Sequence, residues 1–439
     1  MSQYKAYPAY KDSGVEWIGQ VPEHWEVKPI CRVTSVNDDA LSDSTTGSTR
    51  ISYVDISSVG YTEGIKQATE MAFEDAPSRA RRKASTGDVV VSTVRTYLKA
   101  VAAVTDEYAD CIFSTGFAVL RARQLEQSFL KWMILNELLI QSIEAHSEGL
   151  SYPAINASAL VKLKSVIPPP EEQASIAATL DRETARIDAL IQKKTRFIEL
   201  LKEKRQALIT HAVTKGLDPN VKMKDSGVEW IGQVPEEWLN RKVFHAFQTI
   251  GSGTTPPSKE HEWYQGGTIP WITTSELREN TVVETKKCVT PDAMQKFSAL
   301  KIFPAGSLAI AMYGATIGRL GFLGVPSTTN QACCVLSGER DLNVQFLYYW
   351  LMAFRAEIVA LFSEGGGQPN INQEVIASLW VPSPDPEEQA TIAATLDRET
   401  ARIDTLIGKA EQSITLLKER RAAFITAAVT GQIDLRGEQ

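Results

Sequence analysis

The sequence predicts two globular α/β (α+β) domains joined by two long helices that pair as an antiparallel coiled coil, a pseudo-two-fold tandem duplication. Three observations carry this. The phrase "YKDSGVEWIGQVPEHW" at 10–25 returns as "MKDSGVEWIGQVPEEW" at 223–238 with two changes. The segment from Glu171 to Thr214 returns, nearly unchanged, from Glu387 to Thr430. The stretches between these markers, 26–166 and 239–379, are hardly alike. A period above 200 residues is too long for a solenoid and has the size of a domain plus a linker.

The elements follow in chain order. Residues 1–25 are a lead-in whose Trp17 and Trp25, with Trp230 and Trp238 of the second copy, are expected to anchor against the helices. Residues 26–166 contain short β-prone runs between turn residues, such as "GDVVVSTV" from Gly87, and then one helical stretch, "SFLKWMILNELLIQSI" from Ser128. Residues 167–238 hold a long helix and the second lead-in. Residues 239–379 repeat the β-then-helix order, with "GSLAIAMYG" from Gly306 and "VQFLYYWLMAFRAEIVALF" from Val344. Residues 380–439 carry the second long helix.

Each long helix starts after prolines, "IPPPEEQ" and "VPSPDPEEQ", where proline is tolerated and an acidic pair suits the positive helix end. The first is expected to run to about His211 with Gly216 as terminator. Some 40 residues span roughly 60 Å. The apolar stripe Leu180, Ile187, Ile191, Ile198, Leu201 and Leu208 matches Leu396, Ile403, Ile407, Ile414, Leu417 and Phe424 at near-heptad steps, with Lys194 and Arg205 departing from the pattern. Two like stripes beside two unlike domains favour mutual pairing over two separate amphipathic helices, because a stripe of that length left bare invites aggregation. Glu171, Glu172, Asp181, Glu183 and Asp188 read as a solvated face.

Composition is that of a soluble folded protein, with 43% apolar and 23% charged residues and a formal charge of −7. That charge argues against a uniformly basic nucleic-acid sleeve and leaves room for a local basic groove. Cys31, Cys111, Cys288, Cys333 and Cys334 have no CxxC spacing, and the adjacent pair is poorly placed for a disulfide. They read as buried or incidental thiols of a reducing, cytoplasmic setting. The N-terminus has no apolar run of signal-peptide type.

Catalytic patterns are missing. "GSGTTPP" (Gly251, Gly253) and "YGATIG" match neither a P-loop nor a dinucleotide fingerprint. The histidines His24, His146, His211, His245 and His261 form no HExxH, and no G-x-S-x-G elbow occurs. No catalytic, cofactor or metal residue is therefore nominated.

The repeated "DSGVEWIGQVPE(H/E)W", the "IPPPEEQASIAATLD" helix start, the "FIELLKEKRQALITHAVTKG" ending, and "TIPWITTSEL", "GSLAIAMYGATIGRLG" and "NQACCVL" in the second half together resemble the specificity subunit (HsdS) of Type I restriction–modification enzymes. The resemblance covers essentially the whole chain. It implies two target-recognition domains, each reading half of a bipartite asymmetric site in double-stranded DNA, and a helical spacer. It implies two methyltransferase subunits carrying adenine methylation and S-adenosylmethionine, and motor–endonuclease subunits using ATP and Mg2+. The alternative is a helical scaffold with two protein-binding domains and no DNA role.

The family supplies no invariant base reader, so DNA-contact candidates come from residue chemistry. In "SRARRK", Arg79, Arg81, Arg82 and Lys83 suit phosphate contact, with a solvated loop as the other reading. Thr93, Arg95, Tyr97 and Lys99 would share one face if the preceding strand continues, Arg95 reaching a guanine edge or phosphate and Tyr97 a reader or core residue. In the second domain Ser258, Lys259, Thr274, Tyr313, Thr316 and Arg319 are candidates, with glycines in "GSGTTPP" permitting close backbone approach to phosphate. "EGGGQPNINQE" (364–374) and its counterpart from Ser147 read as domain-closing turns, with structural use for Asn156 and Asn372.

Overall fold

The computed structural model describes residues 4–363 and 370–436. Two compact units emerge, residues 1–195 with 411–439 and residues 196–410. Each holds a mixed α/β domain plus one half of each long helix.

In the first unit the strand Val89–Ser92 is central to an antiparallel sheet, paired with Val101–Ala103 and Phe117–Ala122, the latter pairing in turn with Thr34–Val36. Successive side chains of a strand point to opposite faces. Val89 and Val91 accordingly enter one core with Leu120 and Val101, while Val90 enters another with Ala102 and Val119. A sheet covered on both faces requires a continuous apolar run, which is what "VVVS" supplies. A second sheet in this unit is ordered Thr69–Ala72, Arg50–Val54, Ile112–Ser114, Ala80–Lys83.

The second unit repeats the device in a five-stranded sheet ordered Phe247–Gly251, Cys333–Glu339, Leu308–Ala311, Leu320–Leu323, Asn280–Val282. Leu308, Ile310, Cys334 and Leu336 face one core, and Ala309, Ala311, Cys333 and Val335 the other. The adjacent cysteines are thus two small apolar fillers on opposite faces of one strand. Burial pushes the Cys334 thiol up to about 12 and the Cys333 thiol higher still, so both stay protonated.

The helical stretch late in each domain is two helices rather than one. Gln127–Ile134 stops before Asn136, whose side chain accepts from the Leu138 N–H at 3.0 Å and starts Glu137–Ala145 afresh. Val344–Ala353 and Arg355–Phe362 bend by 69° at Phe354. Among the described residues no single helix is long and apolar enough to cross a membrane.

The long helices run Pro170–Lys215 and Pro386–Val429, 46 and 44 residues. Lys215 rather than His211 is the last helical residue of the first. Gly216 (φ +73°) follows it, and Gly431 (φ +73°) follows the second, each left-handed where only glycine is unstrained. Asp385 caps the second helix, its Oδ1 accepting from the Glu387 and Glu388 N–H groups at 2.9 and 3.0 Å. In the first unit Ile176, Ala177 and Leu180 share a core with Phe424, Ile425 and Ala428. In the second, Ile392 and Leu396 share one with Ile209, Ala212 and Val213. The start of one helix meets the end of the other in both, so the pairing is antiparallel.

Of the acidic residues expected on a solvated face, Glu171, Asp181 and Asp188 are exposed and Glu183 is half-buried, whereas Glu172 is withdrawn from it. Glu172 is buried and accepts from Trp25 Nε1 and Tyr7 Oη, each at 3.0 Å, with His24 Nε2 at 2.7 Å. Asp181 accepts from Trp132 Nε1 at 3.2 Å, and Asp188 pairs with Arg421 at 3.0 Å. The next residue, Gln173, is buried too; its Oε1 accepts from the Glu126 N–H at 2.8 Å, just before the domain helix. Gln389 does the same for the Asn343 N–H at 2.7 Å. The "EEQ" of each copy is therefore a joint between long helix, lead-in and domain. Of the lead-in tryptophans, Trp25 and Trp238 are buried at these joints, and Trp17 packs half-buried on the first core. Trp230 instead stacks on Trp350, Phe354 and Phe362 of its own domain, where the bent helix pair leaves an aromatic socket.

Asp188–Arg421 and Arg205–Asp404 are equivalent ion pairs, one per unit, at 3.0 and 3.3 Å. Arg205 departs from the apolar stripe because it reaches across to the other helix. Arg421 is 7% exposed, whereas the Arg205 side chain is 26% exposed. Removing the partner of a buried cation leaves its desolvation uncompensated. Asp188→Ala is expected to cost about 2 kcal/mol in urea unfolding, and Asp404→Ala under about 1 kcal/mol. Equal losses would contradict the burial difference, and joint replacement of Asp188 and Arg421 by leucine and methionine should recover most of the loss.

Candidate nucleic-acid interface

The basic run of the first domain is a strand, not a loop. Ala80–Lys83 pairs with Ile112–Ser114 and is bridged on its other side by Ala40. Strand alternation separates the cations. Arg79 bonds Asp55 at 3.0 Å and Tyr53 Oη at 3.3 Å, and these contacts hold its guanidinium pKa above the usual range, the Tyr53 bond foremost. Arg81 lies 4.7 Å over the Phe73 ring, Arg82 is half-buried, and Lys83 is exposed. Two of the four charges are thus engaged by the fold itself.

The strand before Thr93 does not continue. It ends at Ser92, and Thr96–Leu98 is a 3-10 turn flanked by Arg95 (φ +51°) and Lys99 (φ +49°). Thr93 is buried with its hydroxyl donating to Gly116 O at 2.9 Å, so it shares no face with the others. Tyr97 is 53% exposed and is no core residue, and Arg95 is exposed. Lys99 pairs with Glu137 at 2.5 Å. Left-handed backbone costs a residue with a Cβ about 1 kcal/mol or more, and alternation cannot survive two such residues within five.

In the second domain Ser258 and Lys259 lie exposed on a turn, Tyr313 is exposed, and Thr274, Thr316 and Arg319 are half-buried. Thr316 Oγ1 donates to Tyr313 O at 3.2 Å. The glycines of "GSGTTPP" serve the interior. A Cβ on Gly253 would sit 1.8 Å from Thr329 O, and the Gly253 N–H donates to Thr329 Oγ1 at 3.0 Å. The close backbone approach is to the domain's own strand, not to a phosphate. Asn372 caps the helix Gln373–Ser378 by accepting from the Val375 N–H at 2.8 Å, while Asn156 starts Ala157–Leu160 without a side-chain cap bond. Residues 364–369 of the "EGGGQPNINQE" turn lie outside the described residues.

On the long helices Leu180, Ile187, Ile198, Leu201, Leu396, Ile403 and Phe424 are buried, and Ile191, Leu208, Ile407, Ile414 and Leu417 half-buried. What the sequence reading missed is a hairpin at 148–154. Glu148 and Ala154 exchange backbone hydrogen bonds at 2.9 Å, and the loop between them carries the fully exposed Leu150 and the 65% exposed Tyr152. "GLSYP" gave a signal, since two large apolar residues inside a turn have no core to enter.

The family described as "Type I restriction modification DNA specificity domain" matches residues 235–416. The "Putative type I restriction enzyme MjaX specificity subunit" of Methanocaldococcus jannaschii is 25% identical, covering 95% of this chain and 96% of its own. The EcoR124I/EcoR124II specificity subunit of Escherichia coli is 25% identical over 41% of this chain and 43% of its own. In fold, the chain matches one from a structure described as the basis of complex assembly and conformational transition of the type I R-M system. Its TM-score is 0.75 at 22% identity, with 95% of this chain and 99% of that one covered. The HsdS subunit from Thermoanaerobacter tengcongensis matches with a TM-score of 0.55 at 23% identity, covering 94% and 98%.

Gly253→Ala is expected to destabilise the protein by about 3 kcal/mol, read as a lowered thermal midpoint, because a backbone carbonyl cannot step aside as a side chain can. A midpoint within a degree of the parent would show that Thr329 relaxes freely.

Proposed function

The chain belongs to the family of Type I restriction–modification specificity subunits, and on that premise we propose that its two α/β domains each read one half of a bipartite, asymmetric site in double-stranded DNA. The supporting observation is the contrast within the chain. The joints at Glu172–Gln173 and Glu388–Gln389 are built alike, yet the surfaces they hold up are unlike. A duplicated frame with divergent faces suits a protein that must address two different sequences in one register, and stiff helices keep a separation that a flexible linker would not. Recognition in this reading belongs to 26–166 and 239–379.

The helices support docking of two copies of one methyltransferase subunit. Leu190 and Leu416 are exposed in the first unit, and their equivalents Leu406 and Leu200 in the second. Each unit therefore offers the same apolar pair. Adenine methylation and the S-adenosylmethionine site belong to that partner, and ATP and Mg2+ to the motor–endonuclease subunits. The chain's own work is to bind and orient.

Co-expression with the methyltransferase subunit should yield methylated adenines in a split motif, and exchanging 239–379 for the corresponding segment of another specificity subunit should change one half only. A continuous motif, or change in both halves, would overturn the reading. Lys83 and Lys259, exposed in different domains, are expected phosphate contacts. Their joint replacement by alanine should reduce the slope of log K against log salt by about 2 for any DNA sequence.

A further inference from the structure

The two domains share a loop with corresponding backbone anchors and left-handed positions and with different side chains. In the first, the Ile155 N–H donates to Thr93 O at 2.8 Å and Val94 bridges Ala154. In the second, the Ile371 N–H donates to Met312 O at 2.9 Å and Tyr313 bridges Asn370. This register matches Arg95 to Gly314 and Lys99 to Gly318. All four are left-handed, with φ of +51°, +49°, +66° and +74°. The second domain places glycine at both positions, the residue that adopts this conformation freely. The first keeps the path while carrying two long cationic side chains through it.

Lys99 has a structural reason in its pair with Glu137. Arg95 has none of that kind. It is exposed, has no carboxylate partner among the described residues, and its guanidinium lies 5.0 Å from the centre of the Tyr152 ring. Tyr152 belongs to the hairpin 148–154, pinned to the Arg95 loop by Thr96 Oγ1 donating to Ser147 Oγ at 2.9 Å and the Thr96 N–H to Pro153 O at 3.4 Å. At its tip, after Gly149 (φ +106°), Leu150 is 106% exposed and so is uncovered by the described residues. The only acidic residue of the hairpin, Glu148, is at its closing pair. Strained backbone held by surrounding bonds points to a functional site.

We propose that this double loop is a wedge. Leu150 enters between two base pairs of the half-site bound by the first domain and unstacks that step, while Arg95, over the Tyr152 ring, contacts the adjoining base edge. An apolar tip beside an unpaired guanidinium is the chemistry of side chains that open a base step and hold it open against a polyanion. A protein surface as occupant would have little use for the free charge. The inference rests on the DNA-reading function proposed above.

The test uses the full chain assembled with its methyltransferase subunits, on duplexes carrying 2-aminopurine at successive positions of the mapped half-site. Fluorescence should rise at one step away from the methylated adenine, whose own extrusion belongs to the methyltransferase. Leu150→Ser should abolish that rise and weaken specific binding about ten-fold, with assembly and non-specific binding unchanged. Arg95→Gly, which installs the residue the backbone favours, should weaken specific binding about five-fold or more with the thermal midpoint unchanged or raised; a merely supporting arginine would lower the midpoint. No rise at any step, or a rise and affinity indifferent to Leu150→Ser, overturns the wedge while a wild-type preference for the split site leaves DNA reading intact. Loss of assembly with Leu150→Ser would mean that the tip docks a protein and also overturns it. Absence of any site preference in the wild-type complex would overturn both.

Discussion

The architecture depends on what happens at the first turn of each long helix. Glu172 and Gln173 are buried at the first, and Gln389 is buried beside a half-buried Glu388 at the second; burying such groups is unfavourable unless every strong partner is in place. Glu172 is satisfied by an indole N–H and a phenol, with the His24 ring also against it; Gln173 by the backbone ahead of a domain helix and by Pro168 O. The lead-in, the domain and the helix can satisfy these groups only together. Burial also raises the Tyr7 phenol pKa, with the Glu172 charge second, so Tyr7 remains a donor to that carboxylate. At the second joint His24 is replaced by Glu237, and burial, with Asp385 and Glu237 adding to it, holds the Glu388 carboxyl above the usual range against the lowering effect of the Trp238 N–H. The two joints share a plan but are not electrostatically equal.

The helix pair adds register to that attachment. Apolar seams alone tolerate sliding by a heptad, whereas Asp188–Arg421 and Arg205–Asp404 meet at only one offset of two antiparallel helices. A buried arginine without a carboxylate would be costly, so the slipped arrangement is penalised rather than merely less favoured. A one-heptad slip would displace one helix along the other by roughly 10 Å.

The central strands Val89–Ser92 and Leu308–Ala311 are buried along their whole length, while exposed side chains such as Gln248, Thr249, Asn280 and Thr281 lie on the outer strands. Loops on rigid scaffolds commonly carry variable chemistry, and several exposed polar candidates, Arg95, Ser258, Lys259 and Tyr313, lie outside the strands while Lys83 ends one. The loop shared by the two domains illustrates the division: its anchoring backbone bonds recur (Ile155 to Thr93 and Ile371 to Met312; Leu98 to Arg95 and Ile317 to Gly314), while the side chains differ between Arg95 and Gly314. Among the charged candidates, fold contacts engage part of the charge. Arg79 is taken by Asp55, Arg81 by Phe73 and Lys99 by Glu137.

The sequence by itself determined the duplication, the two long helices and their apolar stripes, because helical period, capping and termination are local and leave a repeating trace. It also carried the central strands, whose unbroken apolar runs require cover on both faces. Only tertiary structure decided the rest. Glu172 looks like any first-turn acid until Trp25, 147 residues away, meets it. Gly253 looks like a phosphate-loop glycine until Thr329 lies against it. Arg95 looks like the next residue of a strand until pairing with 153–155 forces the backbone left-handed. In each case the deciding contact is with a residue distant in sequence, and a local pattern carries no record of what it will pack against.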